Sequence, residues 1–208
     1  MSASCLHPGG RALTQRLLAL YPLTADSSLL DIGCGDGSSA AYIREVYGCR
    51  VSGIEPDAGS YALAAARPQL DIRQSPAEAL PYSDHSFDLV LSECVLSLTL
   101  LDQALTEIRR VLKPGGTLLF SDLYARGVYA VTHGLLRHLY PLETWLHSLR
   151  QAGFFLDRQE DVSKELKTYL GQMILEHGVE AAYCACGLDR ELIAIARPGY
   201  LMIAARRG

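Results

Sequence analysis

The segment that most constrains this chain is the run from Leu29 to Gly37, which reads Leu-Leu-Asp-Ile-Gly-Cys-Gly-Asp-Gly. Its apolar beginning predicts a buried strand, and its end places a glycine at every second position. Because glycine has no Cβ, it adopts positive φ angles and lets a ligand approach the backbone closely. The segment therefore predicts a strand that runs into a tight turn, with a nucleotide-type cofactor against that turn.

A second acid follows at the end of the next predicted strand. Residues 50–54 form a short, mostly apolar segment, and Glu55 closes it 24 positions after Asp31. A carboxylate about 20 residues past a glycine turn is placed to accept both hydrogen bonds of a ribose diol. Asp57 is the better candidate for the N-cap of the following helix, because Asp is favoured at that position. We therefore expect Glu55 to face a ribose.

Two further blocks continue the alternation of strands and helices. Residues 75–82 read Ser-Pro-Ala-Glu-Ala-Leu-Pro-Tyr and precede an apolar strand at 87–92. Residues 107–116 read Glu-Ile-Arg-Arg-Val-Leu-Lys-Pro-Gly-Gly and precede an apolar run at 117–122. A helix that ends in basic residues and is stopped by Pro-Gly-Gly indicates a helix-to-strand turn. Repeated βα units of this kind predict a mostly parallel sheet.

Taken together, the four blocks between residues 29 and 122 resemble the motifs of the class I S-adenosylmethionine-dependent methyltransferases. The glycine order is acid-x-G-x-G-x-G, with Ser38 next, whereas the dinucleotide-binding fingerprint is G-x-G-x-x-G. The resemblance implies an α/β fold of the Rossmann-like type. Its sheet would have seven strands, mostly parallel, with helices on both faces and an antiparallel last strand, for which residues 199–206 are a good fit.

The resemblance also implies a site for S-adenosylmethionine, with S-adenosylhomocysteine as the product. Asp31, Gly33 and Gly35 would shape the methionine side of that site, and Glu55 would hold the ribose hydroxyls. The residues expected to bind the cofactor are Asp31, Gly33, Cys34, Gly35, Glu55, Pro56, Ala77, Glu78, Ser92 and Glu93.

The adenine end departs from the pattern of many relatives. Pro76 stands where they place an Asp whose side chain takes the adenine amino group. Proline has no such group, so adenine recognition would fall to the backbone around Ala77 and to Ser75 or Glu78. Pro56 and Ala77 are expected to flank the ring.

Methyl transfer from a sulfonium depends mainly on holding donor and acceptor in line, and a dedicated base is needed only if the acceptor arrives protonated. The sequence contains no recognisable Ser-His-Asp set or catalytic carboxylate pair, and we assign no catalytic residue. The substrate-pocket candidates follow the fourth and fifth strands and are Cys94, Tyr124, His133 and Tyr140.

The charge of the sequence favours a small-molecule acceptor over a nucleic acid, and its hydropathy gives no sign of a membrane span. The net charge is −4, and no run of Lys and Arg suggests a surface for a nucleic acid. No run of 18 or more apolar residues suggests a membrane span. Residues 1–7 lack the basic start and apolar stretch of a secretory signal, so we expect a cytoplasmic protein.

The six cysteines show no C-x-x-C pair or Cys/His spacing typical of zinc, so no metal is predicted. Cys184 and Cys186 alternate, and in an extended segment both would reach a soft metal or metalloid. The alternative is that both are ordinary buried small side chains.

The length of 208 residues fits one domain, residues 1–208. Residues 178–198 are expected to form a helical insertion or lid over the substrate pocket. The function predicted is methyl transfer from S-adenosylmethionine to a small molecule. Two alternatives are a non-catalytic partner protein that binds S-adenosylmethionine, and a nicotinamide-dependent oxidoreductase.

Overall fold

The computed structural model describes residues 7–131, 138–185 and 190–208. The strands, in chain order, are β1 Ser28–Ile32, β2 Arg50–Ile54, β3 Asp71–Arg73, β4 Phe87–Glu93, β5 Leu112–Ala125, β6 Ala130–Val131, β7 His138–Leu139, β8 Phe154–Asp161 and β9 Pro198–Arg207. The helices are α1 Gly10–Leu18, α2 Ser38–Tyr47, α3 Ala58–Ala65, α4 Leu101–Val111, α5 Leu142–Gln151, α6 Ser163–His177, α7 Val179–Ala185 and α8 Arg190–Ala196. His133 and Cys186 lie outside the described residues.

Seven strands form one sheet in the order β3-β2-β1-β4-β5-β9-β8. Strands β1 to β5 are parallel, whereas β9 is antiparallel to both of its neighbours, β5 and β8. The predicted sheet and its antiparallel last strand are confirmed. Strand order reverses at β1, which lies between β2 and β4, and ligands of open α/β sheets bind outside the carboxyl ends of strands at such a point.

Successive residues of the central strands pack against opposite faces of the sheet. Leu29 and Leu91 belong to an apolar core shared with α1, α2 and α6. Leu30 and Ile32 belong to a second core shared with α4 and α5. Burial on both sides explains why these strands are continuous apolar runs rather than alternating ones. The helices therefore cover both faces, as predicted.

Two short elements lie outside the seven-stranded sheet. The segment Leu96–Leu98 makes one 3₁₀ turn after β4, and it is tied to the sheet because Ser97 N–H donates to the buried Asp122 carboxylate over 2.9 Å. The strands β6 and β7 form a separate two-stranded ladder, which the sequence did not predict. Within the described ranges, no helix is both long and apolar enough to cross a bilayer.

Candidate functional site

The carboxyl edge of the sheet holds a cavity of about 310 Å³. It opens where β1, β2 and β4 end, and residues of α2, α3 and α6 border it. The lining residues are His7, Pro8, Asp31, Gly33, Cys34, Gly35, Asp36, Ser38, Ser39, Glu55, Pro56, Ser60, Glu93, Cys94, Val95, Leu98, Leu123, Leu166 and Tyr169.

The glycine turn forms the floor of the cavity. Gly33, Gly35 and Gly37 all have positive φ, between 56° and 76°. A Cβ on Gly33 would lie 2.4 Å from Cγ2 of Val95, so no side chain fits there. The turn is fastened to β2 because the Gly33 and Cys34 N–H groups both donate to the Ile54 carbonyl, over 2.9 and 3.0 Å. Gly33 and Gly35 both line the cavity, so the turn presents its backbone to a ligand.

The carboxylate of Glu55 joins the glycine turn to the start of α3. One oxygen accepts from Gly35 N–H over 2.9 Å, and the other accepts from Asp57 N–H over 3.0 Å. Asp57 itself caps α3, because its side chain accepts from Ser60 N–H over 2.8 Å. Glu55 is thus freed from capping and is fixed with its carboxylate at the cavity wall.

Asp31 is buried at the end of β1, and its Oδ2 atom has no hydrogen-bond partner among the described residues. Burial, with the nearby Glu55 carboxylate as a second cause, raises the pKa of Asp31 to about 7. A buried carboxylate oxygen without a donor is costly. The position therefore favours a ligand that carries an N–H or O–H group.

Glu93, the last residue of β4, is a second buried acid of the cavity, with a side chain that is 6% exposed. Both of its oxygens accept from Thr14 Oγ1 in α1, over 3.0 and 3.1 Å. His7 Nε2 lies 3.5 Å from Oε2. Burial and then the Asp31 carboxylate raise the pKa of Glu93 to about 8. Burial lowers the pKa of His7, so its imidazole is neutral near pH 7.

Cys94 follows Glu93 in a left-handed conformation, with φ of 59°. Its N–H donates to the Ser121 carbonyl over 2.8 Å, and its Sγ lies 3.2 Å from the Tyr200 hydroxyl. That hydroxyl is also 2.8 Å from Ser121 Oγ. Non-glycine residues hold positive φ only where surrounding contacts impose it. This network fixes the backbone where β4 leads into the cavity.

The cavity brings together many of the residues that the sequence singled out. Seven of the cofactor candidates line it, namely Asp31, Gly33, Cys34, Gly35, Glu55, Pro56 and Glu93, and so does the substrate candidate Cys94.

Other candidates lie elsewhere. Ala77 is buried in the core shared with α4, and Glu78 accepts from Leu100 N–H over 2.7 Å. Ser92 is buried within β4. The Tyr124 hydroxyl donates to Asp161 over 2.6 Å. Tyr140 packs edge-on against Trp145 and borders a different cavity, between α4 and α5.

Several cavity residues carried no signal in the sequence. Leu98, Leu123, Leu166 and Tyr169 come from the 3₁₀ turn, β5 and α6, and each is an ordinary apolar or aromatic residue in its own element. Thr14 and His7 reach Glu93 from α1 and the segment before it. Only the tertiary structure brings these distant positions to one wall.

The charges of the cavity are strongly one-sided. Among its lining residues in the described ranges, four are acids and none is Lys or Arg. Asp36 is paired with Arg67 over 2.8 Å, whereas the contacts of Asp31 and Glu93 given above include no cationic side chain. The described part of the chain contains no cluster of three or more His, Cys, Asp or Glu side chains suited to a metal ion. The arrangement suits a ligand with donor groups or positive charge.

Known methyltransferases resemble this chain in sequence. A family model described as a methyltransferase domain matches residues 30–120. The 27-O-demethylrifamycin SV methyltransferase of Amycolatopsis mediterranei (strain S699) is 30% identical over 226 residues, covering 94% of this chain and 82% of that protein. The uncharacterized methyltransferase YodH of Bacillus subtilis (strain 168) is 38% identical over 117 residues, covering 54% and 50%. The chain spans about half the length of YodH and of a similar protein from Haemophilus influenzae.

Solved structures share the fold over nearly the whole chain. The 4+2 cyclase SpnF has a TM-score of 0.75 at 28% identity, with 94% of this chain and 80% of that chain covered. A geranyl diphosphate C-methyltransferase from Streptomyces coelicolor A3(2) has a TM-score of 0.79 at 17% identity, with 96% and 78% covered, which shows the fold alone. The sequence relationship to the rifamycin methyltransferase extends over most of both proteins. The chain therefore belongs to the class I S-adenosylmethionine-dependent methyltransferases.

Proposed function

We propose that this protein binds S-adenosylmethionine in the cavity and transfers its methyl group to a small-molecule acceptor, with S-adenosylhomocysteine as the product. The observation that carries the proposal is the Glu55 carboxylate, which ends β2, contacts the glycine turn and lines the cavity. The sulfonium supplies a methyl carbon that its leaving group already activates. The residues of the chain then have to bind the donor and the acceptor, orient them in line and exclude water. This positioning is the largest part of catalysis for such a displacement.

The residues at the turn fit this donor. Glu55 has two carboxylate oxygens at the end of the second strand, where a ribose diol is held in related sheets. Asp31 has an unpartnered buried oxygen, which an ammonium group would satisfy. Gly33 lines the cavity with its backbone, and a side chain there would collide with Val95. Pro56 offers an apolar surface for the adenine ring.

The acceptor end of the cavity favours a small molecule. Cys94, Leu98, Leu123, Leu166 and Tyr169 give it an apolar wall, which would exclude water from the reacting groups. The net charge of −4 and the acidic lining offer nothing to a phosphate backbone. We also propose a cytoplasmic location and a single domain in which the segment 178–198 covers the acceptor.

The Glu55→Ala variant tests the donor site. We expect its affinity for S-adenosylhomocysteine, measured by isothermal titration calorimetry, to fall roughly tenfold to a hundredfold, because two charge-assisted hydrogen bonds to the ribose are lost. Glu45→Ala is the matched control, since Glu45 is exposed on α2 and its loss should leave the affinity unchanged. Wild-type affinity in Glu55→Ala would count against the proposed site.

Two further measurements address the alternative functions. A thermal-shift comparison of NAD with S-adenosylhomocysteine distinguishes an oxidoreductase, which would be stabilised by NAD. Incubation with methyl-deuterated S-adenosylmethionine and a metabolite extract, followed by mass spectrometry, tests turnover. The likeness to a protein named a 4+2 cyclase makes this second test necessary. Binding without any labelled product would favour a non-catalytic partner or another reaction.

A further inference from the structure

We propose that Glu93 anchors the methyl acceptor rather than the donor, and that the acceptor is an amine that docks in its ammonium form. The inference rests on the proposed methyl transfer and names the substrate class of the same cavity. It follows from where the Glu93 side chain is held, from the charges around it and from the wall beside it.

Different elements hold Glu93 and the ribose acid at the cavity. Glu55 is fastened to the glycine turn, through Gly35 N–H. Glu93 is instead fastened to α1, because the Thr14 hydroxyl donates to its carboxylate and lies 3.0 and 3.1 Å from the two oxygens. Its strand neighbour in β5 is Ser121, and Leu123 of the cavity wall follows two residues later. The two acids are therefore anchored to different elements, and Glu93 ends the strand that neighbours the apolar wall at Leu123.

No cationic side chain lies beside Glu93 among the cavity residues that the structure describes. The titratable groups near it are His7, Asp31, Cys94 and Tyr200, and none of them carries a positive charge near pH 7. No Lys or Arg lines the cavity in the described ranges. A buried carboxylate without a cation is strongly destabilising, so a cationic ligand group here is favoured. Carboxylate and phosphate acceptors would meet like charge and are disfavoured.

A second, independent feature of the cavity also calls for a donor-rich ligand. Asp31 Oδ2 is buried and has no partner among the described residues, and Asp31 lies near enough to affect the Glu93 carboxyl electrostatically. The donor's own ammonium group would satisfy Asp31 Oδ2, which still leaves Glu93 without a cationic partner. An ammonium brings three N–H donors and no acceptor.

The wall beside Glu93 defines the rest of the ligand. Leu123, Leu166 and Tyr169 are apolar or aromatic, so the body attached to the nitrogen should be apolar and compact. An ammonium nitrogen has no lone pair. Glu93 would accept one of its protons at a carboxylate oxygen, which leaves on nitrogen the lone pair that methyl transfer requires. Without a ligand, the pKa of about 8 leaves much of Glu93 protonated near neutral pH, whereas a docked ammonium favours the carboxylate, which is the form that can accept this proton.

Three probes of similar shape and different charge test the inference. They are 2-phenylethylamine, 2-phenylethanol and phenylacetate, each titrated by calorimetry into protein saturated with S-adenosylhomocysteine. We expect the amine to bind at least tenfold more tightly than the alcohol, as one charge-assisted hydrogen bond requires, and phenylacetate to bind most weakly. Equal binding of all three, preference for phenylacetate, or no binding of the amine at millimolar concentration would overturn the inference.

Variants separate the roles of Glu93. In Glu93→Gln we expect S-adenosylhomocysteine to bind within twofold of wild type while the preference for the amine disappears. Thr14→Val keeps the Glu93 carboxylate but removes the hydroxyl that holds it in place. This variant should bind the amine severalfold more weakly and bind S-adenosylhomocysteine as the wild type does. Glu45→Gln is the charge-matched surface control. A large loss of S-adenosylhomocysteine binding in Glu93→Gln would show that Glu93 holds the donor. If the wild type binds no S-adenosylhomocysteine, the proposed function itself fails.

Discussion

At the scale of single residues, Gly33 decides whether the cofactor turn can form. Its φ of 68° suits glycine, and a Cβ there would approach the Val95 side chain to 2.4 Å. The same position exposes the backbone to the cavity. The Cβ of an alanine at position 33 would therefore have two effects. It would strain the turn, and it would displace the Val95 side chain beside the cavity.

The variant Gly33→Ala should lower the free energy of unfolding by about 2 to 4 kcal/mol, because left-handed backbone strain and overpacking add. Gly115→Ala is a matched control. Gly115 has a φ of 75°, but a Cβ there meets nothing within 4 Å. Gly115→Ala should therefore lower the free energy of unfolding only by the backbone strain, about 1 to 2 kcal/mol. Urea unfolding measures both. Equal losses in the two variants would mean that the Val95 contact is unimportant.

The charged residues at the carboxyl ends of strands were predictable, whereas the apolar wall was not. Asp31, Glu55 and Glu93 each lie within one residue of the carboxyl end of a strand, and a parallel sheet brings such positions to one edge. Leu166 and Tyr169 resemble any other residues on the inner face of a helix. Pairing of Thr14 with Glu93 joins positions 79 residues apart, and no local pattern encodes it.

At the scale of elements, α3 shows how a helix start and a binding residue are kept apart. Asp57 caps the helix by accepting from Ser60 N–H, while Glu55, two residues earlier, accepts from Asp57 N–H. The cap therefore also sets the position of the backbone group that holds Glu55. Loss of the cap should mainly lower the stability of α3, with a smaller effect on the position of Glu55.

In Asp57→Ala we expect the free energy of unfolding to fall by about 1 kcal/mol, the usual contribution of a helix N-cap. Asp57→Asn keeps an oxygen that can accept from Ser60 N–H and should stay close to wild type. Thermal or urea unfolding of the two variants measures the difference. A stability loss in Asp57→Asn equal to that in Asp57→Ala would show that charge, and not the cap hydrogen bond, is what matters.

The regular elements followed from periodicity and turn residues. The segments at 50–54 and 87–92 form β2 and most of β4, and the segment at 199–206 lies within β9. The β6–β7 ladder was missed, because each strand is only two residues long and is fixed by stacking of Tyr129 on His138 and Tyr140. The covering role of 178–198 stays a prediction.

At the scale of the whole molecule, buried acids make stability depend on pH. Burial raises the pKa of Asp31 to about 7, of Glu93 to about 8 and of Asp122 to about 6. In the unfolded chain such groups titrate near 4. The folded protein therefore holds more protons between these values, and its free energy of unfolding must fall as the pH rises through that window.

We expect urea unfolding at pH 5, 6, 7 and 8 to show this decline, with each such carboxyl contributing a slope of up to about 1.4 kcal/mol per pH unit. Burial lowers the pKa of His7, which opposes the decline below about pH 6.5. Glu93→Gln removes one titrating group, so its decline should be shallower than that of wild type. A flat profile in the wild type, or the same slope in the variant, would contradict this account.

The position of β9 has a consequence for how the molecule is made. This strand lies between β5 and β8 although it follows both in the chain. Its Tyr200 carbonyl accepts from Val162 N–H, and its Tyr200 N–H donates to Ser163 Oγ at the start of α6. Until residues 198–207 have been synthesised, the start of α6 lacks these two hydrogen bonds. We therefore expect the wall formed by Leu166 and Tyr169 to be complete only after β9 has been translated.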